Sequence, residues 1–248
     1  MLRRPLHSRP VPARGVRVSG VARGLAVVFL GLVLLAVRAP LVCAQSTLSA
    51  FEDDVDRIVK RARPCIVTVI AQRTLSHAGA PKRTHNRVGS GVAVSANGVL
   101  TTASAVLGAE HVFVVTDNRL QVEAHVVGMD PVRNLALLKP DGLELSSLPL
   151  ASKPGASGDW IIALGNSYRM SPTQSVGTVA LRFPEPGTSL LQLTNEVYPG
   201  NSGGAALNSR GELVGLVQGE LGAPEAPGQR ERAERRPGGL SFAIPTED

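Results

Sequence analysis

Residues 91–102 read Gly91-Val92-Ala93-Val94-Ser95-Ala96-Asn97-Gly98-Val99-Leu100-Thr101-Thr102. Two short β-type runs, Gly91–Ser95 and Val99–Thr102, flank Ala96-Asn97-Gly98. An Asn-Gly pair between such runs is a strong hairpin signal, because both residues tolerate positive φ. The same alternation of short apolar runs and turn residues extends in both directions. Cys65–Ala71 lies upstream. His111–Thr116, Leu120–Val127, Leu135–Leu138, Trp160–Leu164, Val176–Leu181, Leu190–Thr194, Leu213–Val217 and Leu240–Ile244 lie downstream. About ten or eleven strands with few helices predict an all-β chain built as two small antiparallel barrels.

One short helix is expected in front of them. Ser49-Ala50-Phe51-Glu52 has capping-box spacing. Leu48, Phe51, Val55, Ile58 and Val59 recur at helical period until Pro64, which predicts a helix over about 49–62. Two segments read as loops. Arg73–Arg87 carries basic residues and His77 and His85 among small polar ones. Gly219–Gly239 holds a run of mixed charge between Pro/Gly clusters, the usual mark of a solvated face.

The 248 residues carry a formal charge of +6 and are 43% hydrophobic, which excludes a disordered or collagen-like chain. The charge is unevenly placed. Residues 1–45 contain seven arginines and no Asp, Glu or Lys, which leaves 19 basic and 20 acidic residues for the remainder. The nucleic-acid binding that a basic chain suggests therefore has no support in the body of the protein. Six arginines precede Leu25–Val37, an apolar run of thirteen, and Val42-Cys43-Ala44 follows. This is the pattern of a secretory signal, or of an N-terminal membrane anchor if uncleaved, over 1–44. Residues 45–248 are then exported, and the membrane is engaged only through the N-terminal segment. Removal of Cys43 with the signal leaves Cys65 alone in an apolar run, where a buried hydrophobe is expected rather than a reactive thiol.

Gly200-Asn201-Ser202-Gly203-Gly204 is the motif that carries chemistry. A serine nucleophile needs a tight turn that turns its hydroxyl towards substrate. Gly200 lets its N–H point the same way as that of Ser202, giving the two donors of an oxyanion hole. No metal-ligand cluster, phosphate-binding loop or cofactor motif accompanies it.

Four blocks in order make the chain resemble the HtrA/Deg family of trypsin-like serine proteases. Gly89-Ser90-Gly91-Val92-Ala93-Val94-Ser95 with Gly98-Val99-Leu100-Thr101 looks like the strand pair leading to the family's catalytic histidine. Val127-Gly128-Met129-Asp130-Pro131 with Leu135-Ala136-Leu137-Leu138-Lys139 is similar to the segment holding its aspartate. Tyr198–Gly204 looks like the nucleophile loop, and Ser241-Phe242-Ala243-Ile244-Pro245 resembles the last strand. The resemblance implies a trypsin-like fold of two six-stranded β-barrels with the active site in their cleft. It covers about 50–247, so 45–248 is expected to be one protease-like domain with no PDZ domain. It also implies unfolded polypeptide or a partner protein as ligand, assembly into a homo-oligomer, and a periplasmic or envelope location.

The departures from the pattern are specific. The family's Leu-Thr-Asn-Ala-His-Val is here Leu100-Thr101-Thr102-Ala103-Ser104-Ala105, which puts Ser104 at the histidine position. Its Asp-Pro-x-x-Asp-Leu-Ala is here Asp130-Pro131-Val132-Arg133-Asn134-Leu135-Ala136, which puts Asn134 at the aspartate position. Only Ser202 of the triad remains. A serine hydroxyl needs a base to take its proton, and neither a second serine nor an amide serves. The resemblance thus implies a serine endopeptidase fold acting without catalysis by binding polypeptide or a partner. The alternative is an active enzyme that recruits one of His77, His85, His111 or His125 as its base.

Overall fold

The computed structural model describes residues 47–75, 83–166, 172–185, 188–220 and 241–246. The chain forms two compact units, Met1–Phe51 and Glu52–Asp248. Of the first, the described residues are 47–51, which are helical. The arginine-rich segment and its apolar run lie outside the described residues, as do His77 and most of Gly219–Gly239.

Helix α1 covers 47–62 and buries Ile58, Val59 and Ala62. It is already helical at Thr47, so Ser49 does not act as its cap. A 3-10 turn, Arg63–Cys65, carries Pro64 and ends it, because proline lacks the N–H that an α-helix interior requires. Cys65 is buried, and burial pushes its thiol pKa up.

Twelve strands follow among the described residues. The first six are β1 (Ile66–Leu75), β2 (Arg83–Ser95), β3 (Gly98–Thr102), β4 (His111–Val115), β5 (Gln121–Asp130) and β6 (Leu135–Pro140). They close antiparallel into a barrel in the order β1-β2-β3-β6-β5-β4. The second six are β7 (Trp160–Gly165), β8 (Thr173–Glu185), β9 (Thr188–Leu193), β10 (Ala205–Leu207), β11 (Leu213–Glu220) and β12 (Ser241–Pro245). They close in the order β10-β11-β12-β9-β8-β7. Closure leaves neither sheet with an unpaired edge. A four-residue helix, α2 (Ala103–Val106), follows β3.

Alternation fills both barrels. Val67, Val69, Val92, Val99, Val114 and Leu138 are buried in the first, and Ile161, Val179, Leu191, Ala206, Val214 and Ala243 in the second. The segment between the barrels is fastened at both ends. Leu145 and Leu148 donate backbone N–H groups to the Ala96 and Ala93 carbonyls, and Ala151 donates to Leu213.

Several sequence expectations are corrected. The β2–β3 hairpin forms, but Ser95 pairs with Gly98, so the turn residues are Ala96 and Asn97. Neither Asn97 nor Gly98 has positive φ, so the turn is not the Asn-Gly type. The Arg73–Arg87 segment is not a free loop. Arg73, Thr74 and Leu75 continue β1, and β2 begins at Arg83. β10 was not expected, because Ala205-Ala206-Leu207 has neither β-branched residues nor length. It forms because β7 and β11 pair with it on both sides.

Candidate active site

The loop bearing Ser202 joins β9 to β10 and is tied down mainly through its backbone. Asn201 N–H donates to Tyr198 O at 2.9 Å, and Gly204 N–H donates to Asn201 O at 2.8 Å. Gly203 N–H donates to Val217 O on β11 at 2.7 Å, and Val217 N–H returns a bond to Gly204 O at 2.8 Å. The first barrel holds the loop from the other side. Ser90 N–H donates to Ser202 O at 2.8 Å, and the Ser90 hydroxyl donates to Gly200 O at 2.6 Å. The same hydroxyl accepts the Asn166 N–H at 2.7 Å, while Asn166 Nδ2 donates to Thr68 Oγ1 at 2.7 Å. Ser90 thus ties the serine loop and the end of β7 to β2.

Gly200 has φ +100, in the left-handed region where a β-carbon is strained. Among the described residues, no backbone acceptor is paired with the N–H of Gly200 or of Ser202. The half-buried Ser202 hydroxyl donates to the carbonyl oxygen of Gln218 at 3.0 Å. That carbonyl is presented by an irregularity in the β11–β12 ladder: Val217 pairs with Ala243 and Gly219 with Phe242, so Gln218 drops out of register.

Ser104 and Asn134 are brought together on the first barrel. Ser104 is exposed on α2, and its backbone N–H donates to Asn134 Oδ1 at 2.8 Å. Ala103 N–H donates to Asn134 O at 3.0 Å. Asn134 has φ 56, a left-handed conformation that Asn tolerates better than most residues. The turn before it is organised by Asp130, whose carboxylate accepts the Val132 and Arg133 N–H groups and the Arg133 guanidinium. These bonds, the Arg133 amide foremost, hold the Asp130 carboxyl below its ordinary pKa. The Arg87 guanidinium donates to the Ser104 carbonyl.

Gly89 joins the two halves. A β-carbon there would lie 3.2 Å from Ser202 O and 3.4 Å from Ala105 Cβ, so the serine loop and α2 close on β2 from two sides. Of the histidines, His111 pairs with Glu123 at 2.9 Å and His125 with Asp141 at 3.2 Å, all four exposed. His85 lines a cleft with Arg73, Arg87 and Ala105. Among the described residues, no group of His, Cys, Asp and Glu is arranged to hold a metal ion. No helix among them is long and apolar enough to cross a membrane.

Sequence reading missed Ser90, Arg87 and Gln218. Ser90 stands in the quoted Gly89-Ser90-Gly91 block, yet its contacts span more than a hundred residues. Gln218 contributes only its carbonyl, for which the sequence has no signal. Replacing Ser90 by Ala leaves the Gly200 carbonyl and the Asn166 N–H unpaired in the junction. A loss of about 2–4 kcal/mol is expected, read from the urea midpoint at unchanged slope.

Two antiparallel six-stranded barrels with a serine-bearing glycine turn fastened between them define the trypsin-like class. The chain belongs to the Trypsin-like peptidase domain family, which matches residues 89–216. Its relatives there are HtrA-type serine proteases. It is 35% identical to the serine endoprotease DegS of Haemophilus influenzae over 75% of this chain and 56% of that protein. It is 32% identical to an Ectopseudomonas mendocina protein named probable periplasmic serine endoprotease DegP-like, over 68% of this chain and 35% of the relative. The crystal structure of the serine endoprotease from Yersinia pestis superposes with a TM-score of 0.61 at 31% identity, covering 78% of this chain and 62% of that one. The chain thus spans between about a third and just over half the length of these curated relatives.

Proposed function

We propose that this is a non-catalytic HtrA-type protein of the cell envelope, a trypsin-like domain that binds polypeptide or a partner protein without cleaving it. Ser202 takes the nucleophile position, Gly200 and Ser202 supply the oxyanion-hole amides, and Ser104 and Asn134 occupy the histidine and aspartate positions. The observation that carries this reading is the Ser202 hydroxyl itself. It donates a hydrogen bond to the Gln218 carbonyl, a group too weakly basic to remove its proton. The bond from Ser104 N–H to Asn134 Oδ1 keeps those two residues side by side, but it links a hydroxyl residue to an amide. Positions 104 and 134 thus offer no imidazole to orient and no carboxylate to stabilise an imidazolium.

The envelope location rests on the periplasmic name of the DegP-like relative and on the signal pattern of residues 1–44, retained as an anchor or removed. Assembly into a homo-oligomer belongs to the same reading and is checked by light scattering on the purified protein.

Catalysis is tested with a fluorophosphonate probe and with casein. Ser202 is expected to remain unlabelled and casein intact. Ser202→Ala is expected to change stability by only about 1 kcal/mol, the worth of its bond to Gln218, and to leave polypeptide binding as it was. Casein turnover that disappears in Ser202→Ala would overturn the reading. Substitution of His77, His85, His111 and His125 in turn would then identify the base.

A further inference from the structure

The β1–β2 ladder carries a row of side chains whose character changes abruptly along one face. Val67 and Val69 of β1 lie opposite Gly91 and Gly89 of β2, and a β-carbon on Gly91 would meet both valines. The next positions on this core-facing row are Ala71 opposite Arg87, then Arg73 opposite His85. Period-two alternation would continue such a row with apolar residues. Instead it ends in three basic side chains at the mouth of the first barrel.

These three side chains line one cleft together with Ala71, Ala105, Leu107 and Gly108. Arg73 and His85 are directly opposed across the ladder, an arrangement that costs stability when both are charged. Among the described residues, none of Arg73, His85 and Arg87 forms an ion pair. The acid nearby is Glu110, whose carboxylate accepts the Thr74 hydroxyl at 2.7 Å and is held below its ordinary pKa chiefly by that bond, with weaker attraction to His111 and Arg73 and no ion pair to either. Arg87 is oriented by its bond to the Ser104 carbonyl. The cleft therefore adjoins the place where the relatives' catalytic histidine is proposed to stand. A break in binary pattern that gathers like charges in one cleft is expected where a ligand supplies further opposite charge.

We infer that this cleft binds a carboxylate of an acidic polypeptide segment, with Arg73 and Arg87 as the pairing groups and His85 as a further donor. The inference rests on the polypeptide-binding reading above and names the class of polypeptide. A carboxylate matches the planar guanidinium fork. A long polyanion does not suit the surrounding surface, because residues after 45 carry 20 acidic against 19 basic side chains.

Fluorescence anisotropy on the full chain tests it with three labelled probes: an acidic glutamate-rich peptide, the same peptide with glutamine for glutamate, and an RNA oligonucleotide of equal charge. The acidic peptide is expected to bind at least about tenfold more tightly than its glutamine counterpart. Arg73→Gln with Arg87→Gln should erase that preference while binding of the glutamine peptide persists. Arg73→Lys with Arg87→Lys, which keeps the charge, should retain much of it and controls for folding. Equal binding of the two peptides, a preference that survives the glutamine substitutions, or RNA bound as tightly as the acidic peptide overturns the inference. If both peptides bind equally, the inference falls alone. If neither binds, the polypeptide-binding reading falls with it.

Discussion

Ser104→His together with Asn134→Asp is expected to turn the chain into a protease. Removing the base from a serine triad costs on the order of 10⁶ in kcat, while binding and the oxyanion hole alone retain about 10³–10⁴ over water. Restoring both residues should therefore raise casein or peptide cleavage by at least about 10³-fold over the parent chain. The geometry favours the pair over either change alone. The backbone N–H of residue 104 already reaches the side-chain oxygen of residue 134 at 2.8 Å, a bond that a carboxylate accepts as well as an amide. A histidine alone would lack the carboxylate that fixes its tautomer, and an aspartate alone would have nothing to orient. The gain must vanish when Ser202→Ala is added. Arg87 opposes the imidazolium by placing a cation on the Ser104 carbonyl, so Arg87→Gln in the restored background should raise the rate further. A folded double variant that neither cleaves casein nor takes up the fluorophosphonate would refute the assignment of these positions.

Gly203→Ala is expected to be the most damaging single substitution to the fold. Gly203 has φ +86, which costs an alanine about 1 kcal/mol. The larger effect is steric. An added β-carbon would lie 2.1 Å from the Ser90 carbonyl oxygen and 2.5 Å from Thr101 Oγ1. The first contact is backbone, and the second is a buried hydroxyl already donating to that carbonyl at 2.7 Å. Relief requires the serine loop to move off β2, breaking the bonds from Ser90 to Ser202 and Gly200. A loss of about 5 kcal/mol or more follows, comparable to the whole stability of many domains. Gly211→Ala supplies the comparison. It too has positive φ, +76, but its β-carbon would meet only the Ile58 side chain, at 3.4 Å from Cγ2 and 3.8 Å from Cγ1, so about 1 kcal/mol is expected. Urea unfolding of both variants separates strain in φ from collision. Equal losses would show that the junction does not constrain residue 203.

Much of the fold was legible because barrel strands announce themselves through apolar runs between turn residues. Val92–Val94, His111–Val115 and Leu213–Val217 carry enough β-branched and large apolar residues to be read alone. Ala205–Leu207 does not, and its strand state comes from the ladders on either side of it. Arg73 and Arg83–Arg87 looked like solvated loop because their composition is that of one. Their pairing register is inherited from the valines further along the same hairpin. For the proposed site, Ser104, Asn134 and Ser202 are read from flanking motifs, and the bond between residues 104 and 134 places the first two side by side. The Gln218 carbonyl and the Ser90 bridge escaped notice because a backbone acceptor and a small buried hydroxyl leave no pattern in a one-dimensional string.

The bonds that clamp the serine loop have a consequence for what a motif of this kind records. Every backbone group that the first barrel and β11 grip between Gly200 and Gly204 would be needed if no peptide bond were ever broken here. The loop is the fastener of the two barrels as well as the seat of a hydroxyl. Residues at positions 104 and 134 can be exchanged at little mechanical cost to the junction, since Ser104 is exposed and both belong to one barrel. The glycine turn cannot be discarded without parting the barrels. The signature string therefore reports that the halves are joined, whether or not a peptide bond is cut there.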